Sequence, residues 1–164
     1  MPQLRLISTG ASLPPEVRAG AFNDMARQMA EQGHPMGQNN WAIILENGCG
    51  GVPVDAERAA NWYRQSALQG YDLAQHNLGS LYERGCGVPR DDAAAVQWFR
   101  KAAEQGYAPS QYNLGVMYST GRGLPRDVAQ AKKWYQLAAA QGNEDAVHNL
   151  AVLEMEERRQ TRGF

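Results

Sequence analysis

From Ala74 to Tyr82 the apolar and small positions recur three and four residues apart. Ala74, Asn77, Leu78, Leu81 and Tyr82 fall at i, i+3, i+4, i+7 and i+8, which is one face of a helix. Gly85-Cys86-Gly87 stops the pattern, because glycine takes the left-handed conformation of a carboxyl cap, and Pro89 cannot continue the helix. Asp91 or Asp92 then offers a carboxylate to the free amides that start a second helix. In that helix Ala95, Trp98, Phe99, Ala102 and Ala103 form another stripe, and Gly106 ends it. Trp98 reads as the large anchor of this stripe, with the alanines making room for it.

The same unit then recurs. Ser110 to Asp145 aligns without a gap on Ala74 to Pro109, and Trp62, Trp98 and Trp134 are each 36 residues apart. Self-similarity at such a period marks a stacked repeat array, in which each unit uses its neighbours to complete its core. The sequence divides into an N-terminal arm at 1–13, a half-repeat at 14–36, full repeats at 37–73, 74–109 and 110–145, a terminal half-repeat at 146–160, and a tail at 161–164. The opening half-repeat is a second helix without its first, beginning at Pro14-Pro15 and carrying Phe22, Met25, Ala26, Met29 and Ala30 as its stripe. The repeat at 37–73 carries one inserted residue, Gly51. The fold class predicted is all-α.

Charge narrows the function. Lys and Arg number 16 against 17 Asp and Glu, a net charge of −1, so no basic stripe is available to neutralise nucleic-acid phosphate. No apolar run approaches the ~20 residues of a membrane span, and none resembles a secretory signal, so the chain reads as cytoplasmic. Cys49 and Cys86 fall in the same loop of successive repeats. Stacking would hold them roughly 10 Å or more apart, beyond the Cα limit of about 7 Å for a disulfide, which predicts two reduced thiols.

Candidate chemistry is sparse. The loops GCGGVP, GCGVPR and GRGLPR join two helices and recur with the repeat, as structural turns do, and lack the strand and spacing of a phosphate cradle. His76 and His148 stand in the same register two repeats apart, too far to share a metal, and read as surface or groove residues. No nucleophile motif or isolated carboxylate pair breaks the repeat, so the chain reads as non-catalytic, with no cofactor and no metal. Asn40, Asn77, Asn113 and Asn149 recur at the edge of the apolar stripe; they either tie a helix to a neighbouring loop or bind a peptide.

The pattern Asn77-Leu78-Gly79 with Tyr82, Gly85-Cys86-Gly87-Val88 with Asp91, and Trp98-Phe99 with Ala102-Ala103-Glu104-Gln105-Gly106 resembles the Sel-1-like repeat (SLR) family. Asn113-Leu114-Gly115, Gly121-Arg122-Gly123-Leu124, Asp127, Trp134-Tyr135 and Gln141-Gly142 carry it through the third repeat. The resemblance implies a right-handed solenoid of antiparallel helix hairpins, an α/α superhelix with first helices lining its concave face. Some secreted members pair two cysteines in each repeat; here each repeat has at most one.

On that reading the protein is a non-catalytic adaptor, scaffold or regulator that binds another protein or peptide. The candidate contact residues are Asn39, Ile43, His76, Asn77, Ser80, Glu83, Tyr112, Asn113, Val116, His148, Asn149, Val152 and Met155, where the repeats disagree or an asparagine recurs. Tyr112, Val116, Val152 and Met155 form the apolar end of this row. The resemblance also admits an immunity protein masking a toxin, or a hydrolase of cell-wall or β-lactam-like substrates, though no clustered nucleophile and base is present. The lone helix types at the two ends allow tail-to-head association, but the charged close at Glu154–Arg159 predicts a capped monomer.

Overall fold

The computed structural model describes residues 15–161; the arm at 1–13 and the last residues of the tail lie outside them. The described residues form eight α-helices and no strand: α1 (Pro15–Glu31), α2 (Pro35–Asn47), α3 (Ala56–Leu68), α4 (Asp72–Arg84), α5 (Asp92–Glu104), α6 (Ala108–Thr120), α7 (Val128–Ala139) and α8 (Glu144–Thr161). The pairs α2–α3, α4–α5 and α6–α7 are hairpins, with α1 and α8 as single helices on either side. Each helix packs on its neighbours in sequence, and α8 also reaches α6. This is the all-helical stack expected of a repeat array. The first helices begin at Pro35, Asp72, Ala108 and Glu144, two residues ahead of the phase chosen from the sequence.

The helix ends follow from local chemistry. Asp55, Asp91 and Asp127 cap α3, α5 and α7, each carboxylate accepting from the backbone N–H three residues on, at 3.0, 2.9 and 3.0 Å. Gly85 closes α4 at φ 69°, its N–H donating to the Leu81 carbonyl. Cys49 and Cys86 are free thiols.

Packing corrects the choice of anchor. Tyr63, Phe99 and Tyr135 are the rings fully buried in the hairpins, whereas Trp62, Trp98 and Trp134 are half-buried. One residue along a helix is a rotation of about 100°, enough to move the tryptophan to the shoulder of the stripe. Lys101 Nζ lies 4.4 Å from the centre of the Trp98 ring, as suits a ring that borders solvent. The buried ring reaches its place because the facing first helix is thinned opposite it. A Cβ built on Gly79 would lie 2.9 Å from the Phe99 ring, and one on Gly115 2.6 Å from Tyr135.

A second recurring device is a glutamine pair across each hairpin. Gln69, Gln105 and Gln141 donate through Nε2 to Gln38, Gln75 and Gln111 at 2.7, 2.7 and 2.8 Å. Gln75 and Gln111 in turn donate to the Ala67 and Ala103 carbonyls of the preceding repeat, both at 3.2 Å. These buried amides therefore satisfy both their own hairpin and the joint before it.

Gly87 at φ 67° lies against the start of α3, in the preceding repeat, where an added Cβ would stand 2.1 Å from the Ala56 carbonyl oxygen. Gly106, at φ 96°, has open space around it. Gly106→Ala carries only the left-handed penalty and is expected to cost about 1 kcal/mol. Gly87→Ala adds a backbone collision and is expected to cost at least about 2–3 kcal/mol more. Thermal unfolding of the two variants checks the difference; equal losses would show that the turn, and not the joint, sets the requirement.

Candidate functional site

The first helices meet one another at successive seams, where the sequence varies from repeat to repeat. At the first seam Asn77 Nδ2 donates to Asn39 Oδ1 at 3.1 Å, and Asn39 is fully buried. Asn39 thus joins α2 to α4 and presents no surface to a partner. Asn77 remains half-buried, and its bond runs to a neighbouring helix and not to a loop.

At the second seam His76 is half-buried, held between its own hairpin and the next repeat. Its Nδ1 lies 2.9 Å from Ser110 Oγ, and its ring packs at 5.4 Å on Phe99 and 5.1 Å on Tyr107. Burial pushes the imidazole down to about 4, with the Glu83 carboxylate acting weakly the other way. Asn113 and Ser80 stay half-buried on this side of the stack.

The third seam is more open. Tyr112 packs on Tyr135 at 5.9 Å between ring centres, and Asn149 Nδ2 stands 3.4 Å from the Tyr112 hydroxyl and 3.5 Å from that of Tyr135. Ser119 Oγ lies 3.3 Å from the Tyr135 hydroxyl. Together with Val116, Thr120, Val152 and Leu153 these residues line a cavity of about 250 Å³ among α6, α7 and α8. Tyr112, Val116, Asn149 and Val152 were all legible as candidates. Tyr135 was not, because its ring reads as core; its hydroxyl is what reaches the cavity. His148 and Met155 are exposed and stand outside the lining.

Beside the seams runs a ladder of carboxylates. Tyr63 donates to Glu46 Oε2 at 2.8 Å, and Arg84 Nη2 meets Glu46 Oε1 at 2.6 Å. Burial, then this carboxylate, pushes the Tyr63 phenol well above its ordinary range. Glu83 is instead held by Arg122, whose Nε also approaches Asp92 at 3.8 Å. These pairs link residues 38 and 39 apart in sequence, so the periodic pattern alone did not reveal them.

A second cavity, about 230 Å³, lies between α1 and α2. Its lining of Phe22, Asn23, Asn40, Ile43, Ile44, Ala19 and Cys49 is largely apolar, and Ile43 is the one sequence candidate in it. Phe22 is 46% exposed at its edge, a signal available in the sequence as a bulky ring where later repeats carry Ala59, Ala95 and Ala131. Among the described residues no helix is long and apolar enough to cross a membrane.

The Sel1 repeat family model matches the chain three times, at residues 35–71, 72–107 and 108–143. Among solved structures, a protective antigen present in uropathogenic Escherichia coli strains, displaying an SLR fold, superimposes with a TM-score of 0.77 at 42% identity over 79% of this chain. The match covers 28% of that protein, so the chain spans little more than a quarter of the antigen's length. A Sel1 repeat protein from Oxalobacter formigenes gives a TM-score of 0.72 at 35% identity, over 78% of this chain and 96% of that one. Helicobacter pylori cysteine rich protein B shares the fold, with a TM-score of 0.65 at 20% identity over 84% of this chain and 98% of its own. No curated protein matches the chain.

His76 makes the second seam sensitive to acid. Its folded value lies below the ordinary 6.5, so the unfolded chain takes up the proton first as pH falls. The contribution is fully present above pH 6.5 and is lost progressively toward pH 4, amounting to about 2 kcal/mol by pH 5. Denaturant unfolding of the parent chain and His76→Gln, from pH 7.5 to 5, should show the parent losing more by that order. Parallel curves would contradict a buried neutral imidazole.

Proposed function

Because the chain belongs to the Sel1 repeat family, whose members are generally protein-interaction modules, we propose that it is a non-catalytic adaptor or regulator that binds a segment of another protein along its first helices. The observation that carries this reading is the cavity among α6, α7 and α8. It lies where the repeats differ, at Tyr112 against His76 and Val116 against Ser80, while Leu78 and Leu114 beneath the same helices stay fully buried core. A surface freed from the requirements of stacking is free to be shaped for a partner. Its walls mix aromatic rings, branched aliphatics and a few convergent polar groups, the composition that seats one anchoring side chain.

The groups that would be needed for catalysis are engaged otherwise. His76 is bonded to Ser110 and enclosed by rings, Glu46 is shared between Tyr63 and Arg84, and Glu83 faces Arg122. Ser80, Glu83, Asn113 and Asn149 lie on the first helices and are half-buried.

Val152→Asp places a charge in the apolar wall of the cavity, whereas Leu68→Asp replaces a 69% exposed leucine on α3. Partners crosslinked to the parent chain in its native cell extract are expected to be retained by Leu68→Asp and lost, by about tenfold or more, with Val152→Asp. Both variants should stay folded by circular dichroism. Retention of every partner by folded Val152→Asp, with loss from Leu68→Asp, would move the binding face to the second helices.

A further inference from the structure

The two single helices finish the stack differently. Glu154, Glu156, Glu157, Arg158 and Arg159 close α8 with charge, as the terminal unit of a repeat array requires. The open side of α1 instead carries Phe22 and Met25, 46% and 51% exposed. Ala59, Ala95 and Ala131, in the register of Phe22, are fully buried, because α3, α5 and α7 each pack on a first helix of their own. Among the described residues α1 packs chiefly on α2 and on the turn after it at Cys49–Gly51.

Phe22 also lines the cavity of about 230 Å³ between α1 and α2, with Ile43 and Ile44 as its other large apolar walls. An apolar cavity of roughly 150 Å³ seats a benzene ring, so this one has ample room for a leucine side chain. It lacks the charged groups that would select a polar occupant.

Residues 1–14 precede α1 in the chain, and their spacing matches the place left open. Seven residues join α4 to α5 (85–91) and α6 to α7 (121–127). The same count back from Pro15 puts Ile7 where a first helix would end, with Leu4 and Leu6 just before it. The link 8–14, Ser-Thr-Gly-Ala-Ser-Leu-Pro, is rich in turn-forming residues. Fully extended it spans about 23 Å, whereas Phe22 stands only about 10 Å along α1 from Pro15. Arg5 falls in the register of the core residues Leu78 and Leu114, so the segment cannot serve as another first helix of the repeat. Leu4-Arg5-Leu6 does alternate, which gives an extended strap one apolar side and leaves the charge on the other.

We propose that Leu4, Leu6 and Ile7 of the same chain lie across the α1–α2 cavity, their aliphatic side chains against Phe22 and Ile43, as a strap in the place of the absent first helix. A short link holds such a segment at an effective concentration on the order of millimolar, so a small apolar contact persists that a separate copy would not sustain. The strap covers the apolar end of the stack, while the cavity among α6, α7 and α8 stays open at the other.

Nuclear Overhauser contacts in the full chain test this directly. The methyl groups of Leu4, Leu6 or Ile7 are expected to reach the Phe22 ring, to keep those contacts on dilution, and to show none between labelled and unlabelled copies. The double substitution Leu4→Asp and Leu6→Asp should remove them. Cys49 lines the cavity and reports its opening. Its alkylation by N-ethylmaleimide is expected to rise at least about fivefold in the double variant, with the rate at Cys86 unchanged. Absence of the contacts in the parent chain, contacts that run between copies, or a Cys49 rate that the double variant leaves unaltered would each overturn the proposal.

Discussion

The structure depends on one steric arrangement: a large ring from each second helix seated against a first helix reduced to glycine or alanine. Phe99 on Gly79 and Tyr135 on Gly115 bring the two helices of a hairpin close enough for the glutamine pair to close behind them. That closeness places Gly87 and Gly123 against the start of the preceding second helix, where an added Cβ would stand 2.1 and 2.3 Å from a carbonyl oxygen. Hairpin geometry and repeat spacing are therefore set together. Because the contacts that build the stack run between neighbours in sequence, each joint can be altered without redrawing the rest.

This division frees the first-helix seams to differ. The first is closed by an amide pair, the second by an enclosed imidazole, and the third by two tyrosines that leave space between them. The same backbone register thus yields a structural joint, an acid-sensitive joint and a cavity. Asn39 gives way to His76 at the second seam, and His76, Ser80 and Glu83 give way to Tyr112, Val116 and Ser119 at the third. The similarity to solved SLR structures extends over 79% and 78% of this chain.

What the sequence made legible follows from which interactions are local. Helix ends were readable because Asp55, Asp91, Asp127 and Gly85 act on amides and carbonyls a few residues away. The apolar stripes were readable too, but not which ring of Trp98-Phe99 turns inward, since both lie within one stripe and only the facing glycine decides between them. The burial of Asn39 and the partial enclosure of His76 were not readable for a related reason. Their burial is created by the next repeat, through Asn77 and through Ser110 and Tyr107, and nothing in their own helix announces it. Of the cavity lining, Tyr112, Val116, Asn149 and Val152 are candidates from the sequence, Met155 of the same apolar row stands outside it, and the Tyr135 hydroxyl is hidden by its role as a core ring.

The central claim is that invariant positions build the stack and the deviating third seam meets the partner. Amide hydrogen exchange across the whole chain, with and without the crosslinked partner, tests it most directly. The account predicts added protection along α6 and α8, at residues 112–120 and 149–156, with the exposed faces of α3, α5 and α7 unchanged. Protection centred on the second helices, around Leu68, Trp98 and Leu137, would contradict it.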